Sequence, residues 1–240
     1  KTGKNLLKSD GTFYRSSDYG TGEKVLGTML EKFLLSNINE LYYKNFSLFT
    51  QVDAKIGGLI SSATHAYGSQ YGAFQSTLFG RDKEHGGVSY TDDLGRTLND
   101  GILPDGVFAP GTALNGTDVS GMTYEEAYGK GLAKPIPAST YYNNLTGWGT
   151  GIREYSVFEN SWVAVREISV GYSLPSKITS KLHFNSLRFS LIGRNLMYLY
   201  TTSKDDINPE NLGSSRSGAF AEYGGLPYVR SYGFSIRGGF

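Results

Sequence analysis

The sequence predicts an all-β protein built on long antiparallel strands, and three observations carry that reading. Composition is the first: among 240 residues, glycine (32), tyrosine (18) and phenylalanine (13) are abundant while hydrophobic residues make up only 39%, a balance that favours strands and turns over helical bundles. Alternation is the second, with apolar and polar residues exchanging at period two over stretches longer than the five or so residues of an ordinary soluble strand. The third is the spacing of these stretches, which alternates short turns with long spans rich in Gly, Tyr, Thr, Asn and Asp.

Taken in order, turn chemistry at Asp10-Gly11 and Asp18-Tyr19-Gly20 and a mixed stretch from Gly22 to Leu35 leave the first region irregular. A strand is expected over 37–43 and a second over 46–56, joined at Tyr43-Lys44-Asn45. In the second, Phe46, Leu48, Thr50, Val52, Ala54 and Ile56 share one face, and Ser47, Phe49, Gln51, Asp53 and Lys55 the other. Gly57-Gly58 ends it, and the span from about 57 to 160 shows no sustained periodicity and is expected to be one long loop. Strands follow over 161–173, with Ile168, Val170 and Tyr172 opposite Glu167, Ser169 and Gly171, and over 187–200, where Tyr198 and Tyr200 suit an aromatic girdle at a membrane interface. Between them, 176–184 is expected to form a helical turn. The last strand, 229–240, places Tyr232, Phe234, Ile236 and Phe240 on one face and stops on the aromatic residue.

Composition also excludes classes of function. With 23 Lys+Arg against 22 Asp+Glu the net charge is +1, which gives no basic field for nucleic acid. Cysteine is absent, so neither disulfides nor thiolate metal sites are available. No run of apolar residues is long enough for a transmembrane helix, so any membrane crossing is made by strands. A strand that crosses a bilayer needs about 9 to 11 residues and must belong to a closed barrel, apolar outside and polar inside. The later strands meet that length. Ending Phe240 at the periplasmic rim places 57–160 and 201–227 outside and the turns at 43–45 and 174–186 inside, the usual asymmetry of such barrels. The expected architecture is therefore the closing strands of a large transmembrane antiparallel β-barrel with long extracellular loops. Five strands leave two open edges, so the remaining wall must come from elsewhere, and Lys1 with no signal peptide after it fits a piece from inside a longer chain.

Four motifs then carry a family resemblance. Ser161-Trp162-Val163-Ala164-Val165-Arg166-Glu167-Ile168-Ser169-Val170-Gly171-Tyr172-Ser173-Leu174-Pro175, Gly193-Arg194-Asn195-Leu196, Asp206-Ile207-Asn208-Pro209-Glu210, and Glu222-Tyr223-Gly224-Gly225-Leu226-Pro227 followed by Arg230-Ser231-Tyr232-Gly233-Phe234 occur in the order found at the end of SusC/RagA-type TonB-linked outer-membrane transporters. The Tyr43-to-Leu48 and Val52-to-Gly58 stretches also resemble that family. The resemblance implies a plugged barrel of roughly 22 strands, coupling to TonB through upstream sequence, a SusD-like surface lipoprotein as a lid, glycan or peptide cargo, the outer membrane as location, and recognition by the barrel-assembly machinery through Tyr232, Phe234, Ile236 and Phe240. The reading from a different class is a soluble extracellular carbohydrate-binding β-domain.

No cofactor is expected and no catalytic pair stands out, since Glu125-Glu126 lacks a partnering motif and Gly86-Gly87 lacks a phosphate-binding context. The histidines His65, His85 and His183 lie apart, without an acidic or histidine partner at ligand spacing, and no metal site is expected. Asp92-Asp93 and Asp205-Asp206 read as solvated loop charges. In the long loop, Tyr67, Tyr71, Tyr141, Tyr142 and Trp148 are candidates to stack on sugars or peptide side chains, and Arg81 to pair with a carboxylate. The competing reading is that they hold the loop together or touch the lid. Asp53 and Arg194 carry the same choice between ligand contact and pairing along the wall.

Overall fold

The computed structural model describes residues 4–20, 22–147, 151–214 and 220–240. The chain divides into two units, one made of residues 1–26 and 62–157, the other of residues 27–61 and 158–240.

The second unit is a five-stranded antiparallel meander in which β1 (Phe33–Tyr43), β2 (Phe46–Ile56), β3 (Trp162–Ser173), β4 (Ser186–Thr201) and β5 (Ser231–Gly239) lie side by side in chain order. The structure is mostly strand, as alternation demands. β1 begins at Phe33 rather than at residue 37, because Phe33-Leu34-Leu35 continues the ladder opposite Ile56, Lys55 and Ala54. Lys44 and Asn45 alone connect β1 to β2, with Lys44 at φ 54°, the positive φ that a two-residue hairpin turn requires. At the opposite end, Gly57 and Gly58 turn the chain out of β2 with φ of 81° and 87°, and a Cβ on Gly58 would stand 2.8 Å from the Met29 carbonyl oxygen. Residues 174–185 return the chain from β3 to β4 through α4 (Ser176–Thr179) and a further helical turn.

Register fixes two faces. Tyr43, Phe46 and Tyr172, then Leu41, Leu48, Val170, Leu191 and Phe234, form rows across one face. This face is apolar and largely uncovered, with Leu41 61%, Leu191 69% and Phe234 76% exposed. The other face carries Ser36, Gln51, Asp53, Glu167, Arg188 and Arg194. Strict alternation fails at Arg166. The ladder skips this residue between Val165 and Glu167 on both sides of β3, a bulge that returns the rest of the strand to phase. A second irregularity, between Val163 and Ala164, passes over Leu199 and turns Tyr198 to the polar face beside Ala164. Tyr198 is therefore not an interfacial girdle residue; its hydroxyl lies in hydrogen-bond reach of two acceptors, Glu210 Oε2 at 2.7 Å and Asn208 Oδ1 at 3.0 Å, between which its one hydrogen is shared. Tyr200, half exposed beside Val163, keeps an outward place.

The first unit corrects the expectation of a structureless span over 57–160 and of an irregular first region. Its core joins Leu7 and Phe13 from the start of the chain to Phe108, Val119, Tyr124, Ala127, Ile136 and Leu145. Leu6–Leu7 pairs in parallel with Val107–Phe108, and a three-stranded sheet is formed by Val88–Thr91, Thr97–Ile102 and Ile136–Pro137. Among the described residues it also holds three α-helices, α1 (Ala63–Gln70), α2 (Tyr124–Gly129) and α3 (Ala138–Thr146). α2 starts at a capping box: Thr123 accepts from the Glu126 amide at 3.2 Å, and Glu126 accepts from the Thr123 amide at 3.0 Å. Pairs of two residues and helices of two turns are too short to register as periodicity, and their core is assembled across about a hundred residues of sequence. Among the described residues no helix is long and apolar enough to cross a membrane, which leaves crossing by strands untouched.

Candidate functional site

In the first unit, α1 carries Ser69 and ends at Tyr71, α3 carries Tyr142, and the strand Thr97–Ile102 carries Asp100; these elements border a half-open cavity of about 310 Å³ also lined by Gln70, Gly72, Arg81 and Ser139. α1 is capped by Ser62, whose Oγ accepts from the His65 amide at 2.9 Å, and is held inward by His65, 2% exposed, whose Nδ1 lies 3.0 Å from Ser156 Oγ. Tyr142 is 5% exposed and donates its hydroxyl to the Phe79 carbonyl at 3.1 Å, so it forms a fixed wall. Burial, then the Tyr155 charge, raises its phenol above the ordinary range. Tyr71, 79% exposed, forms the rim. Arg81 donates from Nε to the Thr77 carbonyl at 2.9 Å, from Nη2 to Thr77 Oγ1 at 2.9 Å, and from Nη2 to the Gly72 carbonyl. The guanidinium is thereby tied to backbone at the cavity's edge.

The candidates from the sequence thus separate. Tyr71, Arg81 and Tyr142 are brought to one cavity. Tyr67 stands on α1, 40% exposed, and does not line it. Tyr141 packs against the core, 5.8 Å from the Phe13 ring and 5.3 Å from Tyr142, and burial pushes its phenol up to about 12. Trp148 lies outside the described residues. Ser69 and Asp100 were not singled out by sequence; no motif marks them, because the cavity is assembled from four separate segments. His85 differs from expectation in having an acidic neighbour: its Nδ1 is 2.8 Å from Asp82 Oδ1, and hydrogen bonds from His85 hold the Asp82 carboxyl below its usual range. No group of three or more metal-ligating side chains occurs among the described residues. Asp92 anchors its turn, bonding Arg96 Nε at 2.7 Å and the Leu94 amide at 3.0 Å.

The polar face of the second unit holds a separate network. Arg166, released by the bulge, donates from Nε to Asp53 at 2.9 Å and from Nη1 to Glu210 at 2.7 Å, with a further bond from Nη2 to Glu210. Its guanidinium stacks 4.8 Å from the Trp162 ring, and Tyr198 stands edge-on to Trp162 and 4.6 Å from Tyr228. Glu210 closes the Asp206-to-Glu210 motif, so that motif is a strap fastened to the strands. Asp53 and Arg194 pair along the sheet, Asp53 with Arg166 and Arg194 with Glu167 at 2.8 Å. Sequence reasoning missed Arg166 as a hub, although a charged residue breaking the period of an alternating strand is the usual mark of a bulge.

Comparison with known proteins bears on the fold. No family model matches the chain and no curated protein does. Among solved structures, the RagAB peptide importer in its open-open state is similar at 11% identity over 99% of this chain and 20% of that chain, with a TM-score of 0.53. The same importer in its closed-closed state gives 11% identity over 97% and 20%, with a TM-score of 0.49. The 240 residues therefore span about a fifth of the length of the importer chains they match. The likeness to the open-open state is one of fold: a strand-rich chain arranged like part of an importer.

Proposed function

We propose that this chain forms part of the wall and outer loops of an outer-membrane β-barrel that imports oligomeric nutrients. The observation that carries the reading is the segregated five-stranded meander, whose strands of 9 to 16 residues reach across a bilayer and whose uncovered face is apolar. A soluble carbohydrate-binding domain would have to leave that face, and the free edges of β1 and β5, in water. The fold likeness to the RagAB peptide importer supports a place in an importer, and the motif resemblance adds the rest of the reading: a SusC-like transporter, energised through TonB and working beneath a SusD-like surface lipoprotein, with glycan or peptide as cargo. In this reading Tyr232, Phe234, Ile236 and Phe240 guide the last strand into the barrel-assembly machinery, and the span 57–160 belongs to the outer loops.

The test is uptake by cells. Deleting the gene is expected to abolish accumulation of one pool of labelled oligopeptides or oligosaccharides, and collapsing the proton-motive force is expected to do the same in the parent strain. Unchanged uptake of both pools, together with recovery of the protein in the soluble fraction without detergent, would overturn the proposal.

A further inference from the structure

At one end of the five-stranded meander every charged side chain is basic. The segments 41–47, 171–190 and 236–240 hold the turn from β1 to β2, the connection from β3 to β4 and the last residues of β5; they carry Lys44, Lys177, Lys181, Arg188 and Arg237, and neither Asp nor Glu. Among the described residues none of the five meets a carboxylate at ion-pair distance. The opposite end of the strands mixes its signs, with Glu31, Lys32, Lys55, Glu159, Lys204 and Asp205 beside them. Just inside the basic end, Tyr43, Phe46, Tyr172, Phe189 and Ile236 are cross-strand partners in succession and make a largely aromatic row across all five strands on the uncovered apolar face. Three lysines stand beyond that row. Lys44 Nζ lies 5.2 Å from the centre of the Tyr43 ring, which keeps this cation beside the apolar face. Lys177 and Lys181 line one open pocket of about 720 Å³ with Ile178, Ser180 and Leu182. Spacing by four puts the two lysines side by side along the helical turns, and likewise Ile178 and Leu182, which are 45% and 51% exposed. Phe184 ties this connection to the apolar side of β5: its ring is 4.7 Å from that of Phe240, and a Cβ on Gly238 would stand 2.9 Å from it. Arg188 and Arg237, by contrast, are cross-strand partners on the polar face, where Arg188 donates to Ser47 Oγ at 2.5 Å.

We propose that Lys44, Lys177 and Lys181 bind the phosphate groups of anionic phospholipids in the leaflet that meets this end of the meander. The inference rests on the transport reading, which puts the apolar face in lipid. In that setting an aromatic row marks the level at which hydrocarbon gives way to headgroups, so side chains beyond it stand at the height of the phosphates. Lysine suits the place: its stem follows apolar surface while the ammonium, with three donors, reaches the polar layer. Without carboxylate partners the three charges remain available to the membrane, where each basic group near the surface adds attraction for anionic lipid. Ile178 and Leu182 lie against acyl chains and make the connection an interfacial anchor. A phospholipid is anionic at one end and apolar at the other, which matches cations set beside an uncovered apolar face; an acidic polypeptide matches the cations alone.

The experiment is native mass spectrometry of the protein, purified from outer membranes in detergent, stripped of lipid and titrated with phosphatidylglycerol and phosphatidylcholine of identical acyl chains. Phosphatidylglycerol is expected to bind about tenfold tighter, a preference that shrinks as ionic strength rises. The triple variant Lys44→Asn, Lys177→Gln, Lys181→Gln is expected to hold the two lipids equally; asparagine is chosen at 44 because it accepts the positive φ of that turn. A control pair, Lys83→Gln with Lys130→Gln, removes two exposed lysines from the first unit and should keep the preference. Unchanged heat-resistant electrophoretic mobility shows that each variant is folded. Equal binding of the two lipids by the parent, or a preference that survives the triple variant or is lost in the control pair, overturns the proposal. Capture of polyglutamate without discrimination between the lipids assigns the basic end to an acidic polypeptide and overturns it as well. A protein found in the outer membrane that shows no lipid preference counts against this site alone, whereas a protein absent from the outer membrane overturns the transport reading and the site with it.

Discussion

Arg166 shows how one residue out of phase organises its surroundings. A guanidinium inserted at a bulge cannot point to the apolar face without losing its partners, and here it bridges Asp53 on β2 and Glu210 on the following strap. Side-chain exposures of 18% for Arg166, 21% for Asp53 and 27% for Glu210 place the network between surface and interior. Arg166→Ala would leave two carboxylates with weakened solvation, at a cost of about 1–3 kcal/mol. The expected outcome is a lower unfolding temperature together with faster protease cleavage between residues 203 and 214. Asp53→Asn should cost less, because Ser36 at 2.6 Å and Gln51 at 3.2 Å still bond to that side chain. Equal losses in the two variants would show that the strap is not held by Arg166.

Tyr124 and Tyr141 make a second case at the same scale. Burial, helped by the Asp10 charge for Tyr124 and by the charges of Tyr155, Tyr142 and Asp105 for Tyr141, pushes both phenols up to about 12. An unfolded tyrosine ionises near 10, so between about pH 10 and 12 the unfolded chain has released protons that the folded chain keeps. Stability from these groups is therefore complete below about pH 10 and falls as pH rises through that window. Alkaline unfolding followed by phenolate absorbance should show a group of late-ionising phenols that includes these two, and Tyr124→Phe should reduce that group by one. Tyr124→Phe also deletes the hydrogen bond to the Lys134 carbonyl at 2.7 Å, worth about 1 kcal/mol.

At the scale of elements, the clearest single test is the cap of α2. A helix of only six residues has little intrinsic stability, so the reciprocal Thr123 and Glu126 bonds decide whether it forms. Thr123→Ala is expected to cost about 1 kcal/mol, read as a fall in the unfolding midpoint; Glu126→Gln, which keeps the reciprocal geometry, should cost less. The same element explains what sequence could and could not disclose. β2 is legible from Phe46 to Ile56 because its eleven residues alternate, with Phe49 and Thr50 the exceptions, between a two-residue turn and Gly57-Gly58. The Thr123 and Glu126 spacing is a local signal as well, yet it sits in a span whose other elements are two to nine residues long. The parallel pairing of Leu6–Leu7 with Val107–Phe108 leaves no local trace at all, since each partner is a two-residue apolar step. For the cavity, Tyr71, Arg81 and Tyr142 draw notice by residue type, whereas Ser69 and Asp100 join it only once α1 and the strand at Thr97–Ile102 are folded beside each other.

For the whole molecule, the question is which solvent meets each face of the meander. The rows led by Leu41, Leu48, Val170, Leu191 and Phe234 present bulky apolar side chains with no covering layer, while Arg188, Arg194, Asp53 and Glu167 stand on the other side with hydrogen bonds to their neighbours. In water this arrangement would aggregate; in a bilayer the same arrangement is what a barrel wall needs. The two environments give opposite outcomes for one pair of substitutions on β5. Phe234→Lys places a charge on the apolar face at mid-strand and in lipid should cost about 2–4 kcal/mol, measured as reduced folding into vesicles and loss of heat-resistant electrophoretic mobility. Ser235→Lys, one residue along and on the polar face beside Ser190, should fold nearly as well as the parent. If the apolar face instead meets water, Phe234→Lys will raise solubility and leave folding intact, and the membrane reading fails at the scale on which it was made.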